Sequence, residues 1–355
     1  MATVRLQAIA GNYRLADNLA PASQSIPVIK ANGYGHGLLE VARCLQPLAP
    51  AFAVAFIDEA VRLRDAGISK PILVLQGVSR AAELAEAAAG GFWLVLHTQQ
   101  QVEWVLSAKL QDSIRVWLNV DTGMRRLGFA PDHLDRLCDQ LCSSFNTRQG
   151  PVLSTHLACA DDLGSPVTQR QVDVIRACAG RYHLDMSIAN SAGILFWPQS
   201  HAQWNRPGYM LYGLSPDGSF GTDQHGLSPA MTLHSEIIAI RQVAAGEGVG
   251  YGHDWVAKQT SKIGTVAIGY GDGYPRHAPG GTPVWVNGMR VPLAGRVSMD
   301  AICVDLTGVE NVQVGDAVEL WGQNLLVNEV AAAAGTIGYE LLAGLTGRVP
   351  LRYQS

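Results

Sequence analysis

Over the first 225 or so residues, short β-rich apolar runs alternate with stretches rich in Ala, Leu, Glu and Arg whose apolar positions recur at helical spacing. Eight of the runs read as strands, at 26–29, 51–56, 72–76, 92–97, 114–120, 152–158, 184–189 and 206–212. Helical stretches lie between them, among them 58–66, 80–89, 131–143 and 168–179. Eight strand–helix units in one chain predict a closed parallel (β/α)8 barrel of the TIM type rather than an open sheet. Near Gly226 the pattern changes. Helical runs disappear, and short alternating segments at 233–240, 262–268, 282–286, 302–306 and 317–320 take over, with turns at Asn287-Gly288 and Gly315-Asp316. The pattern therefore predicts an α/β chain with a barrel over 1–227 and a mostly β domain over 228–355. No low-complexity linker separates them.

Composition adds a partner and removes two others. At 355 residues the chain exceeds what one core usually organises, which agrees with two domains. Charged residues are only 16% against 48% hydrophobic, below the roughly 25% charged that is typical of soluble domains. Part of the surface is thus expected to lie under a second subunit. A net charge of -4 offers no basic stripe for nucleic acid, and no apolar run of about 18 residues could span a bilayer. Residues 1–18 lack the apolar stretch and cleavage site of a secretory signal, so the cytoplasm is expected. The six cysteines form no CxxC pair and no metal-ligand spacing with histidine, so free thiols and no metal site are expected.

The densest chemistry lies in Pro27-Val28-Ile29-Lys30-Ala31-Asn32-Gly33-Tyr34-Gly35-His36-Gly37, where an apolar strand ends on a lysine and enters a glycine-rich turn. In a barrel this places the amine at the C-terminal mouth, where catalytic groups gather. Burial there disfavours the charged ammonium and frees the amine to attack an aldehyde. A lysine that snorkels to solvent would fit the same residues.

The segment Val28 to Gly37 resembles the cofactor-lysine signature of the alanine racemases. Further family motifs follow in family order across essentially the whole chain. They are Asp121-Thr122-Gly123-Met124-Arg125-Arg126-Leu127-Gly128, Ser154-Thr155-His156-Leu157-Ala158, Arg206-Pro207-Gly208-Tyr209, Gly250-Tyr251-Gly252, Gly269-Tyr270-Gly271-Asp272-Gly273 and Gly295-Arg296-Val297-Ser298-Met299-Asp300. The resemblance implies a homodimeric isomerase that carries pyridoxal 5′-phosphate on Lys30 as an aldimine and interconverts L- and D-alanine with two opposed bases. Lys30 would serve D-alanine and Tyr251, reaching in from the other subunit, L-alanine. Arg206 would face the pyridine nitrogen, and His156 would link Arg206 to Tyr251. Tyr34, Ser191, Gly208 and Tyr209 would cradle the phosphate. Arg126 and Met299 would contact substrate, and Tyr270 would narrow the entrance. A broader alanine/serine racemase is the near alternative. A barrel decarboxylase would place a carboxylate where Arg206 stands, and a pyridoxal phosphate carrier would need no β domain.

Four positions depart from the family pattern. Asn119 stands where many relatives carry a carbamylated lysine, so a chloride beside Asn119 and Arg126 is expected to supply the missing negative charge. Ser187 replaces a histidine that some relatives set against the arginine, and Gly347 replaces an inner-gate tyrosine. Gly33 replaces the usual alanine and is expected only to loosen a turn.

Overall fold

The computed structural model describes residues 1–147, 149–218 and 225–354. They form two compact units. One holds Ala10–Gly33 and Leu38–Leu211; the other holds Met1–Ile9, Tyr34–Gly37 and Tyr212–Ser355. The short strand β1 (Ala2–Arg5) belongs to the second unit.

The first unit is the barrel. Its strands are β2 (Gln24–Ser25), β3 (Phe52–Val54), β4 (Ile72–Val74), β5 (Phe92–Leu96), β6 (Val116–Asn119), β7 (Val152–Ser154), β8 (Met186–Ser187) and β9 (Trp204–Asn205). All pair in parallel in the order β2-β9-β8-β7-β6-β5-β4-β3. A parallel bridge from Val28 to Ala53 joins the continuation of β2 to β3 and closes the ring. Strands buried on both faces need apolar residues throughout, which is why Phe52-Ala53-Val54 and Ile72-Leu73-Val74 show no alternation.

The eighth strand differs from the predicted 206–212. Pairing ends at Asn205, and Tyr209–Tyr212 is a 3-10 helix. Pro207 has no N–H to give a ladder, so only its carbonyl is used, accepting from Val28 N–H at 2.8 Å.

Three tryptophans fill the floor of the barrel. Trp204 lies 5.6 Å from Trp93 and 5.9 Å from Trp117, although β9 and β5 are not neighbours, so these rings meet across the interior. The Arg115 guanidinium stacks at 4.6 Å on Trp93 and 5.1 Å on Trp204, and Asp185 accepts from the Trp204 indole at 3.3 Å. These groups lie at the N-terminal ends of the strands, which leaves the opposite mouth for chemistry.

The second unit is built on β10 (Met231–Val243), with β11 (Gly248–Val249), β12 (Trp255–Val256), β13 (Ser261–Val266), β14 (Pro283–Val286), β15 (Met289–Pro292), β16 (Ile302–Asp305), β17 (Ala317–Trp321) and β18 (Leu351–Gln354). The main sheet runs β15-β14-β17-β10-β1-β18, with β13 on β10 and β16 on β13. β1 lies between β10, antiparallel, and β18, parallel. This unit is not free of helices, as the sequence pattern suggested. Val327–Ala334 and Gly338–Ala343 are helical, the first with a run of four alanines whose high helix propensity offsets its short length.

Candidate active site

Lys30 follows the bridged end of β2, where Ile29 N–H donates to Ala53 O at 2.8 Å. The next four residues, Ala31, Asn32, Gly33 and Tyr34, all have positive φ, from 50° to 63°. Left-handed backbone costs a non-glycine residue about 1–2 kcal/mol, so this turn needs outside support. Gly33 is the residue suited to it. At φ 63° an added Cβ would be strained and would meet Val41 at 3.3 Å, so this glycine relieves the turn rather than merely loosening it. Burial pushes the Lys30 amine below its ordinary value. The Arg126 and Arg206 cations push the same way, and Glu59 opposes them.

Arg206 follows β9 and is only 7% exposed. Its guanidinium donates to Thr155 O at 2.6 Å, to Ile188 O at 3.5 Å and to the Ser187 hydroxyl. Ser187 thus accepts from the arginine directly. Among the described residues no carboxylate pairs with Arg206, and burial lowers it to about 10, which still leaves it charged at neutral pH. His156 follows β7. Burial, then the Arg206, Arg126 and Lys30 cations, push it down to about 3, so it is neutral. No hydrogen bond joins it to Arg206; the two interact through charge.

Gln171 organises this side of the mouth and has no signal in the sequence, because it is one glutamine on a helix, Val167–Gly180. Its amide donates to Thr122 Oγ1 and His156 O, both at 3.0 Å, and accepts from Ala158 N–H at 2.9 Å. Thr122 and Thr155 hydroxyls share a 2.7 Å bond, which connects the network to the carbonyl that receives Arg206.

Ser191 follows β8. Its hydroxyl accepts from Gly208 N–H at 3.0 Å and Met210 N–H at 3.2 Å, so two backbone donors converge where the phosphate cradle is expected. Tyr209 is buried beside them. Arg126 follows β6, on a loop pinned by Asp121, which accepts from Gly123 and Arg125 N–H groups, both at 3.0 Å. Asn119 donates its amide to Leu127 O at 2.9 Å. Lys30, Arg126, His156, Ser191 and Arg206 thus all stand at the C-terminal ends of barrel strands.

The remaining expected residues lie in the β-rich unit. Tyr34 is buried there, its ring 4.9 Å from Tyr212 and 6.1 Å from Tyr339. Tyr251, Tyr270 and Met299 are 66%, 38% and 51% exposed. They stand on loops tied to one another. Arg296 pairs with Asp254, Tyr270 N–H donates to Ser298 O at 3.0 Å, and Gly271 N–H donates to Met299 O at 2.9 Å. Nothing lies within 4 Å of a Cβ built on Gly347.

Comparison with known proteins gives the same direction over the full length. Residues 4–216 match the family model of the alanine racemase N-terminal domain, and 230–353 that of the alanine racemase C-terminal domain. The chain belongs to the alanine racemase family. An alanine racemase of Chromohalobacter salexigens is 46% identical over 355 residues, covering 100% of this chain and 98% of its own. The crystal structure of the biosynthetic alanine racemase of Pseudomonas aeruginosa matches with a TM-score of 0.96 at 47% identity, covering 100% and 99%. That of Bartonella henselae, described with covalently bound pyridoxal phosphate, matches with a TM-score of 0.92 at 30% identity, covering 100% and 99%. Membership in this racemase family also agrees with the barrel followed by a mostly β domain. No described helix is long and apolar enough to cross a membrane.

Proposed function

We propose that this chain interconverts L- and D-alanine in the cytoplasm as a homodimer, holding pyridoxal 5′-phosphate on Lys30. The observation that carries the reading is a lysine at the mouth of the barrel, its amine lowered by burial and by a buried arginine that no carboxylate pairs among the described residues. The residues fit the cofactor. Lys30 offers an amine for its aldehyde, the Ser191 hydroxyl, on which the Gly208 and Met210 N–H groups converge, suits a phosphate, with Tyr34 and Tyr209 completing the proposed cradle, and Arg206 offers a fixed cation to its ring nitrogen. When bound, pyridoxal phosphate supplies an electron sink that acidifies the α C–H bond of the amino acid.

Inversion needs one base on each face of the reacting carbon. Lys30 Nζ takes or returns the proton on one face, and Oη of the partner subunit's Tyr251 does so on the other. The exposure of Tyr251, Tyr270 and Met299 on a single chain supports this sharing, with Met299 and Tyr270 then contacting substrate and entrance. Arg206 keeps its protons at working pH and would face the cofactor's ring nitrogen without giving it one, which would limit side reactions such as transamination. His156, held neutral, adds no further cation beside Lys30 and Arg206. Arg126, without a carboxylate partner among the described residues, would hold the substrate carboxylate, with chloride beside it and Asn119.

Subunit mixing tests the reading. Lys30→Ala and Tyr251→Phe should each be inactive, and their exchanged dimers should recover about a quarter of wild-type activity, because half the dimers are mixed and each of those has one complete site. No recovery despite verified exchange would place both bases on one chain. Borohydride reduction followed by peptide mapping should find the cofactor on Lys30 and not on Lys70, Lys109, Lys258 or Lys262.

A further inference from the structure

The Lys30 amine is useful only if the backbone carrying it is held, and that backbone leads directly into the left-handed turn Ala31–Tyr34. Such a run persists where neighbours over-determine it. Gly33 N–H donates to Ile29 O at 2.9 Å, and Leu38 N–H donates to Asn32 Oδ1 at 3.0 Å. The third support differs in kind, because its acceptor is a carboxylate: Ala31 N–H donates to Glu59 Oε1 at 2.7 Å. The second oxygen of Glu59 accepts from Ala55 N–H at 2.8 Å and Phe56 N–H at 3.3 Å.

Glu59 lies in the first turn of the helix Ile57–Asp65, and its bond to Phe56 is what a glutamate at the third helical position ordinarily makes. Helix capping does not account for the other two bonds. They clamp the residue after Lys30 to the end of β3 with charge-assisted hydrogen bonds, which are stronger than neutral ones. The same carboxylate is the negative charge that opposes Arg126 and Arg206 at the amine, while His156, also close to Lys30, is neutral.

We propose that Glu59 is the positioning residue for Lys30, its carboxylate locking the left-handed turn onto β3 and balancing the Arg126 and Arg206 cations around the amine. The inference rests on Lys30 being the cofactor amine. Glu59 acts through the Ala31 N–H and through its charge, without touching the reacting atoms.

The test compares Glu59→Gln and Glu59→Asp in the full chain stripped of cofactor. Lys30 is titrated by trapping pyridoxal phosphate with borohydride across pH, with peptide mapping at each point. Glu59→Gln should move the midpoint of Lys30 labelling down by on the order of one pH unit, because the amine loses the opposing charge of Glu59. Glu59→Asp keeps the charge but not the reach, and should keep the wild-type midpoint. Reloaded with cofactor, both variants should lose kcat by roughly tenfold or more, from a displaced amine, with KM for alanine little changed. Labelling of Lys30 at the wild-type midpoint in Glu59→Gln would overturn the proposal. So would a lower melting temperature with kcat intact, which would leave Glu59 a helix cap only. Labelling of a different lysine in the wild type would instead overturn the Lys30 reading itself.

Discussion

His156 shows how one partly buried group ties the site to pH. In the unfolded chain it takes up a proton near pH 6.5, whereas in the fold it stays neutral down to about 3. Between those values the unfolded state binds the extra proton, so stability falls as pH drops from about 6.5, by at most about 1.4 kcal/mol per pH unit. Replacing His156 with Gln removes the titration, and urea midpoints at pH 7 and pH 4.5 should then lie closer together than in the wild type. An unchanged gap would mean that other groups carry the acid sensitivity. At this scale legibility was uneven. Lys30 stands out in sequence because an apolar strand ends on it, whereas Arg206 is singled out only by the family resemblance. Glu59 and Gln171 do not stand out, since a helical carboxylate or amide shows its use only once the loops it bonds are placed across from it.

The elements were read well where their core was apolar and poorly where their ends were set by hydrogen bonding. Runs such as Phe92–Leu96 are buried on both faces and announce themselves. The last barrel strand ends early because Pro207 interrupts pairing, and the helix Val327–Ala334 escaped notice because eight residues give little periodicity. The loop after β6 depends on a glycine for its closure. Gly128 has φ 113°, and an added Cβ would meet the Asn119 amide at 2.7 Å, Asn119 O at 2.8 Å and Asp121 N at 2.9 Å. Gly128→Ala should therefore cost about 1–3 kcal/mol in denaturant unfolding, from overpacking and left-handed strain together. It should also raise KM for alanine, because the displaced loop carries Arg126. Wild-type stability and KM in this variant would show that the loop yields without strain.

At the scale of the molecule, the two units do not follow a single cut in the chain, since Ala2–Arg5 lies between β10 and β18. A fragment of residues 228–355 would lack that strand and leave β18 without β1, which it pairs among the described residues. It should unfold without a cooperative transition, and adding a peptide of residues 1–9 should restore one, read by circular dichroism on heating. A cooperative melt of the fragment alone would refute this. The same strand constrains how the protein is made. Ala2–Arg5 leaves the ribosome roughly 350 residues ahead of Leu351–Gln354, which it pairs. At the usual ~5–20 residues per second it waits on the order of tens of seconds for its neighbour, while the barrel segments emerge in between. Strand pairing across so long a separation is slow to nucleate, and it cannot begin until β18 has emerged. Faster translation would therefore not shorten the step that completes this sheet.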